Sequence, residues 1–107
     1  MAKHDPDLSR LFHALADPTR RSMLTRLAEG PAPVTALAAP TGLRLPTVMA
    51  HLAVLEEAGL IVARRQGRER WNHLNVLPIK GIHDRWIGPY AARAADLIGR
   101  LKADLEG

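Results

Sequence analysis

Between Ala63 and Trp71 the sequence reads RRQGRER, which sets Arg64, Arg65, Arg68 and Arg70 within seven residues and opposes them only with Glu69. Guanidinium groups stay charged at any physiological pH and fork onto carboxylate or phosphate oxygens, so four of them around Gly67 suit a polyanion. Each can neutralise one phosphate and release its counterions, and one can enter a narrow minor groove. The plainer alternative is a strand edge whose charges keep it from pairing with other chains. The whole chain leans the same way, with 15 Lys and Arg against 11 Asp and Glu and a net charge of +4. Arg20 and Arg21 add a second cationic pair at the start of a helix, where positive charge opposes the macrodipole. A phosphate contact would offset that opposition, and a plain surface role is equally open.

Other chemistries find fewer residues. The 107 residues contain five histidines and no cysteine, which removes thiol nucleophiles, thiolate metal sites and disulfides and fits a reducing compartment. A helical metal site needs two ligands at i, i+3 or i+4. His83 and Asp84 are adjacent and so point about 100° apart, and no second ligand pair follows before Asp96. His4 falls in the N-terminal stretch, His13 in a first helix, His51 in a fourth helix and His73 on a strand, so no metal and no cofactor is expected. A glycine-rich phosphate loop, a serine with a base in a motif and a paired-carboxylate pattern are all missing, so the chain is not expected to be an enzyme. No run of about 18 apolar residues occurs and MAKHDPDLSR is not a signal peptide, so the expectation is a cytoplasmic protein without a membrane partner.

The elements that must hold these residues follow from period and punctuation. Asp5-Pro6 opens a first helix to about Ala16, with Leu8, Leu11, Phe12 and Leu15 at helical spacing. Asp17-Pro18 opens a second, lined by Met23, Leu24 and Leu27 and ended by Gly30-Pro31. Val34 to Ala39 gives a short third helix before Pro40 and the turn at Gly42. A fourth runs from about Arg44 to Ala58, with Leu45, Val48, Leu52 and Leu55 on one stripe and Gly59 as its stop. LIVARR and RWNHLNV then predict a β-hairpin over 60–65 and 70–76, in which Trp71 packs rather than stacks on bases. Helical spacing returns after Pro78, with a break or kink at Gly88-Pro89. The chain reads as one mainly α domain with a β-hairpin.

Steeply crossed helices need a small residue at their contact, a residue tolerant of positive φ in the turn, and a branched residue inside the second helix. Ala38, Gly42 and Val48 stand at those offsets, and a hairpin directly afterwards is the wing of a winged helix-turn-helix. With ADPTRRSMLTRLAEG at 16–30, LPTVMAHLAVLEEAGLI at 45–61, RRQGRERWNHLN at 64–75 and WIGPY at 86–90, the chain resembles the ArsR-type (arsenical-resistance-repressor-like) regulators, in the branch without the well-known metal boxes. The resemblance covers residues 8 to about 105. It implies a single winged helix domain over 1–107, with the helix-turn-helix at about 34–58 and the wing at about 60–76. It further implies a homodimeric transcriptional regulator, usually a repressor, whose partners are operator DNA and its own twin. The first helix and residues 78–105 would join the copies, and Leu8, Leu11, Trp86, Tyr90, Ala94, Ile98, Leu101 and Leu105 are the candidate interface residues. Arg44, Thr47, Met49, Ala50 and His51 on the fourth helix, in the major groove, and Arg64, Arg65, Arg68 and Arg70 on the wing are the candidate DNA contacts. A small-molecule or metal effector is left unassigned.

The fourth helix departs from that resemblance. Related chains typically carry Ser in place of Arg44 and of Met49, a basic residue or His at Ala50, and a basic or polar residue at Ala53. Two explanations stand. Met49 and Ala50 can meet thymine methyl groups while Arg44, Thr47, His51 and the wing make polar contacts. Alternatively, the face has become an apolar surface for another protein. The retained wing arginines favour DNA. A metal-responsive repressor is a third reading.

Overall fold

The structure, a computed structural model, describes residues 6–106. Asp5, expected as a helix cap, and His4 lie outside the described residues. The elements in chain order are α1 (Pro6–Leu15), α2 (Pro18–Leu27), β1 (Ala32–Pro33), α3 (Val34–Ala38), a 3-10 turn (Ala39–Thr41), α4 (Leu45–Glu57), β2 (Ile61–Gln66), β3 (Glu69–Leu74), α5 (Leu77–Trp86), a second 3-10 turn (Gly88–Tyr90) and α6 (Ala91–Glu106). The chain divides into two compact units between Val76 and Leu77.

In the first unit the boundaries are set by local chemistry. Asp17 caps α2 by accepting the Arg20 backbone N–H at 3.0 Å, with Pro18 pre-set for the first turn. The turn between α3 and α4 passes through Gly42 at φ +68°, the conformation that favours glycine. At the far end of α4, Gly59 at φ +76° donates to the Glu56 carbonyl and Leu60 donates to the Leu55 carbonyl, both at 3.0 Å. That pair of bonds is a Schellman motif, and Leu60 and Leu55 are both fully buried beside it. The motif turns the chain directly into β2.

The hairpin closes on two residues, because Gln66 pairs with Glu69. Gly67 has φ +63° and Arg68 does not share that sign, which fits a type II′ turn. The loop is therefore tighter than the four-residue QGRE connection the sequence suggests, and the strands are 61–66 and 69–74. A strand the periodicity does not announce, β1, pairs antiparallel with β3 through Ala32 and Asn72, giving the sheet order β1-β3-β2. The Asn72 side chain, buried, donates to the Ala32 carbonyl and fixes that edge.

All the buried residues of the described chain belong to this unit. Leu11, Met23, Leu27, Leu37, Val48, Leu52 and Leu55 pack where α1, α2, α3 and α4 meet, and Ile61 extends the layer into the sheet. Leu45 is a correction to the expected α4 stripe, because it is 53% exposed. It is the first residue of the helix, and the covering layer ends one turn later at Val48. In the second unit α5, the 3-10 turn and α6 follow one another as expected around Gly88-Pro89, and no described residue there is buried. No helix is long and apolar enough to cross a membrane among the described residues.

Candidate nucleic-acid interface

On α4 the buried residues Val48, Leu52 and Leu55 define the inner side. Pro46, Met49, Ala50 and Ala53 recur at helical spacing on another side and are all exposed. Thr47 is exposed beside them and Arg44 precedes them as the N-cap residue, in extended conformation and without a side-chain cap bond. Pro46 brings no N–H to the helix start, and the Thr47 N–H already reaches the Arg44 carbonyl at 3.0 Å. This leaves the Leu45 N–H as the donor that an anion could use there.

His51 occupies a different place from its neighbours. Its side chain is only 19% exposed, and its Nδ1 accepts from the Arg20 guanidinium at 3.2 Å and lies 4.0 Å from an Asp17 oxygen. Arg20 is buried. Its Nε donates to the Ala14 carbonyl and its Nη2 to the His13 carbonyl, both at 2.9 Å. The Arg21 guanidinium likewise donates to the Leu15 carbonyl at 2.7 Å. These two arginines therefore close the C-terminus of α1, where a cation sits at the favourable end of the dipole. That is why positive charge is tolerated at the start of α2, and for Arg20 it replaces the phosphate contact left open by the sequence. The Arg20 backbone N–H, more than the nearby cations, holds the Asp17 carboxyl below its usual value.

The wing places its arginines on two faces. The register sets Arg65 directly opposite Arg70 and Arg64 opposite Trp71, with Arg68 in the turn. All four are exposed. Two guanidinium groups facing each other across strands repel, and among the described ion pairs one carboxylate answers them, because Arg70 pairs with Glu56 near the end of α4. The sequence offers only Glu69 against the wing arginines, whereas the acid paired with Arg70 is Glu56, fourteen residues away in the chain, whose approach depends on the fold. The pair also ties the wing to α4, so the apolar stripe and the cations belong to one unit.

Among the candidate interface residues, Leu11 is corrected. It is 5% exposed and belongs to the core, because its side of α1 packs on α2 and α4. Leu8 is half-buried, while Phe12 on the same helix is exposed. In the second unit Trp86, Tyr90, Ala94, Ile98, Leu101 and Leu105 are all exposed. His83 lies beside Asp84, and no group of three or more histidines and carboxylates suited to a metal occurs among the described residues.

Residues 15–64 match the family profile of a helix-turn-helix domain. The chain is 34% identical over 100 residues to the arsenic resistance transcriptional regulator ArsR1 of Pseudomonas putida, covering 81% of this chain and 77% of that protein. It superposes on the crystal structure of the ArsR family transcriptional regulator RHA00566 with a TM-score of 0.72 and 37% identity, covering 92% of this chain and 97% of the other. The chain belongs to the ArsR family of transcriptional regulators. Its first unit is the family's winged helix-turn-helix, with α3 and α4 as the crossed pair and β2-β3 as the wing. A second solved structure, the homodimeric winged helix-turn-helix DNA-binding domain Mb0332 of Mycobacterium bovis, described as a possible ArsR-family transcriptional regulator, has a TM-score of 0.61 and 30% identity and covers 97% of this chain and 91% of its own. The chain spans about half the length of the first curated relatives it matches.

Proposed function

We propose that this chain is a cytoplasmic, homodimeric transcriptional regulator that binds duplex DNA sequence-specifically and represses by occupying its operator. The observation that carries the reading is the junction of α4 and the wing. An exposed helix side lies in the same unit as four exposed arginines, two of them opposed across strands, of which Arg70 pairs with the Glu56 carboxylate. Phosphates supply the missing negative charge. Arg44, Thr47, Met49 and Ala50 then face the major groove, and Arg64, Arg65, Arg68 and Arg70 meet the backbone or the minor groove. His51 contributes by position, through Arg20. The printed description of Mb0332 as a homodimeric DNA-binding domain supports the same arrangement. The arsenic response in the name of ArsR1 is not carried over, because soft thiolate ligands are absent from these 107 residues.

A second reading, a docking module for another protein, is favoured by the apolar side of α4 and disfavoured by the wing. Electrophoretic shifts with the chain's own upstream region and with a random duplex, at two salt concentrations, separate them. The regulator reading expects tighter binding to the upstream duplex and a steep loss of affinity with salt for both. Absence of binding to either duplex at about 50 mM salt would overturn it.

A further inference from the structure

The exposed side of α4 that faces DNA in the proposed function has almost nothing with which to hydrogen-bond a base. Pro46, Met49, Ala50 and Ala53 carry no side-chain donor or acceptor of consequence, and all are exposed. Of the polar residues on this helix, His51 is engaged with Arg20 and Glu56 with Arg70, the exposed Glu57 closes its far end, and Arg44 holds its N-cap. Thr47 alone offers a hydroxyl, which serves either kind of base pair. Discrimination on this helix must come from apolar contact. The major groove presents one apolar group, the C5-methyl of thymine.

We propose that α4 reads thymine methyl groups through Met49, Ala50 and Ala53, two thymines in each half-site of the operator. The proposal rests on the DNA-binding reading above and names what that site recognises. Its extent follows from helix geometry. Met49 to Ala53 spans about 6 Å along the helix axis, close to two base-pair steps of about 3.4 Å. The alanines have no bulk to hold the helix away from the groove floor, and Met49 is flexible enough to fit around a methyl. Rejection of the other bases has a cause as well. A guanine O6 or N7, or a cytosine amino group, pressed against this side would lose water and gain no partner. The flanking charge fits a duplex better than a protein partner, since Arg44 at the start of α4 and Arg70, paired with Glu56 near its end, stand at the two ends of the apolar stripe.

The test starts from the full chain and a pool of random 30-base-pair duplexes. After enrichment, the selected duplex is synthesised again with deoxyuridine in place of thymidine, one position at a time, which removes only the methyl group. The expected result is a loss of about fourfold in affinity for each methyl lost at the contacted positions, with an unchanged salt slope. Met49→Ala should bring the thymidine-to-deoxyuridine ratio at its position close to one, and Ala50→Ser should do so at another, while Arg68→Ala weakens both duplexes equally and keeps the ratio. An enriched duplex that binds equally well with deoxyuridine at every position overturns methyl recognition and leaves DNA binding intact. A folded chain that enriches no sequence overturns both readings and favours a protein partner for this side of α4.

Discussion

Arg44 holds the N-cap position of α4 and makes no cap bond with its side chain. A serine hydroxyl there could share the Thr47 N–H, the N3 donor, with the residue-44 carbonyl it already reaches, since Pro46 has no N–H to offer. The absence of such a cap costs on the order of 1 kcal/mol, and a cation at this end of the dipole adds an opposition of about 0.3–1 kcal/mol. A phosphate bound beside the guanidinium and the Leu45 N–H reverses that opposition. Arg44→Ser should therefore raise the melting temperature of the free protein and weaken its binding to DNA. Thermal melts and duplex titrations check the two halves together, and unchanged or tighter DNA binding would remove Arg44 from the site. Asp17 shows the opposite arrangement, a carboxylate at the start of α2. Its pKa in the folded protein lies below the ordinary 3.8 because the Arg20 N–H stabilises the ionised form. Its contribution is complete above the unfolded value and is lost as pH falls through the lower, folded one. The melting temperature should thus fall on acidification below about pH 4, and less steeply in Asp17→Asn, which keeps a capping oxygen but does not titrate. Part of the slope remains in that variant, because Lys80 lowers the Asp84 pKa in the same direction. Equal slopes in the two proteins would show that the cap does not couple to pH.

At the scale of elements, the wing and α4 are joined by the pair between Arg70 and Glu56, and the pair divides the work of the arginines. Arg68, in the turn, has no acidic partner among the described ion pairs. Arg68→Ala should weaken specific and random duplexes by similar factors and lower the salt slope by about 0.9 per subunit. Arg70→Ala should lose less, since its guanidinium must leave Glu56 to reach a phosphate, and Glu56→Gln should tighten binding to both duplexes. A change of sequence preference without a change of slope would contradict these roles. The same elements show what a sequence can disclose. The Asp17-Pro18 cap, the positive-φ glycines at 42, 59 and 67 and the β-rich runs around Gly67 are local signals, so the helices and the wing were legible from them. So were the wing arginines and the bare side of α4. The strand β1 was not, because two residues, one of them proline, carry no period, and their pairing partner Asn72 lies forty residues on. Nor was the role of Arg20 legible. A buried arginine is recognisable only once the chain reversal at Asp17 has carried the last carbonyls of α1 over its guanidinium. Leu45 misled for a related reason, since helical periodicity says which side a residue is on and not where the covering layer ends.

For the whole molecule, the contrast between the two units bears on assembly. The first has a core drawn from all its helices and its sheet, whereas the second buries none of its described residues. Helices of 10 and 16 residues that bury none of their described residues are marginal by themselves in water, because propagation alone scarcely repays nucleation. Yet Ala94, Ile98, Leu101 and Leu105 recur at helical spacing along α6, so the apolar side exists and wants a cover. A two-fold dimer supplies one, since the same surface then meets itself. A two-fold dimer also brings two copies of α4 to one operator, whose half-sites should then mirror that two-fold symmetry. Linking the two contacts is what turns a weak single-helix encounter into operator binding. At micromolar concentration the full chain should therefore sediment at about twice the 11.7 kDa of one copy, and its melting temperature should rise with protein concentration. Ile98→Glu combined with Leu101→Glu places four charges in the paired seam, two from each copy. That variant should sediment as a single copy, lose part of its helical signal in circular dichroism and bind the operator far less tightly, with its first unit still folded. If the unaltered chain sediments only as one copy across this range, the seam has another occupant and the two-helix account of operator binding fails with it.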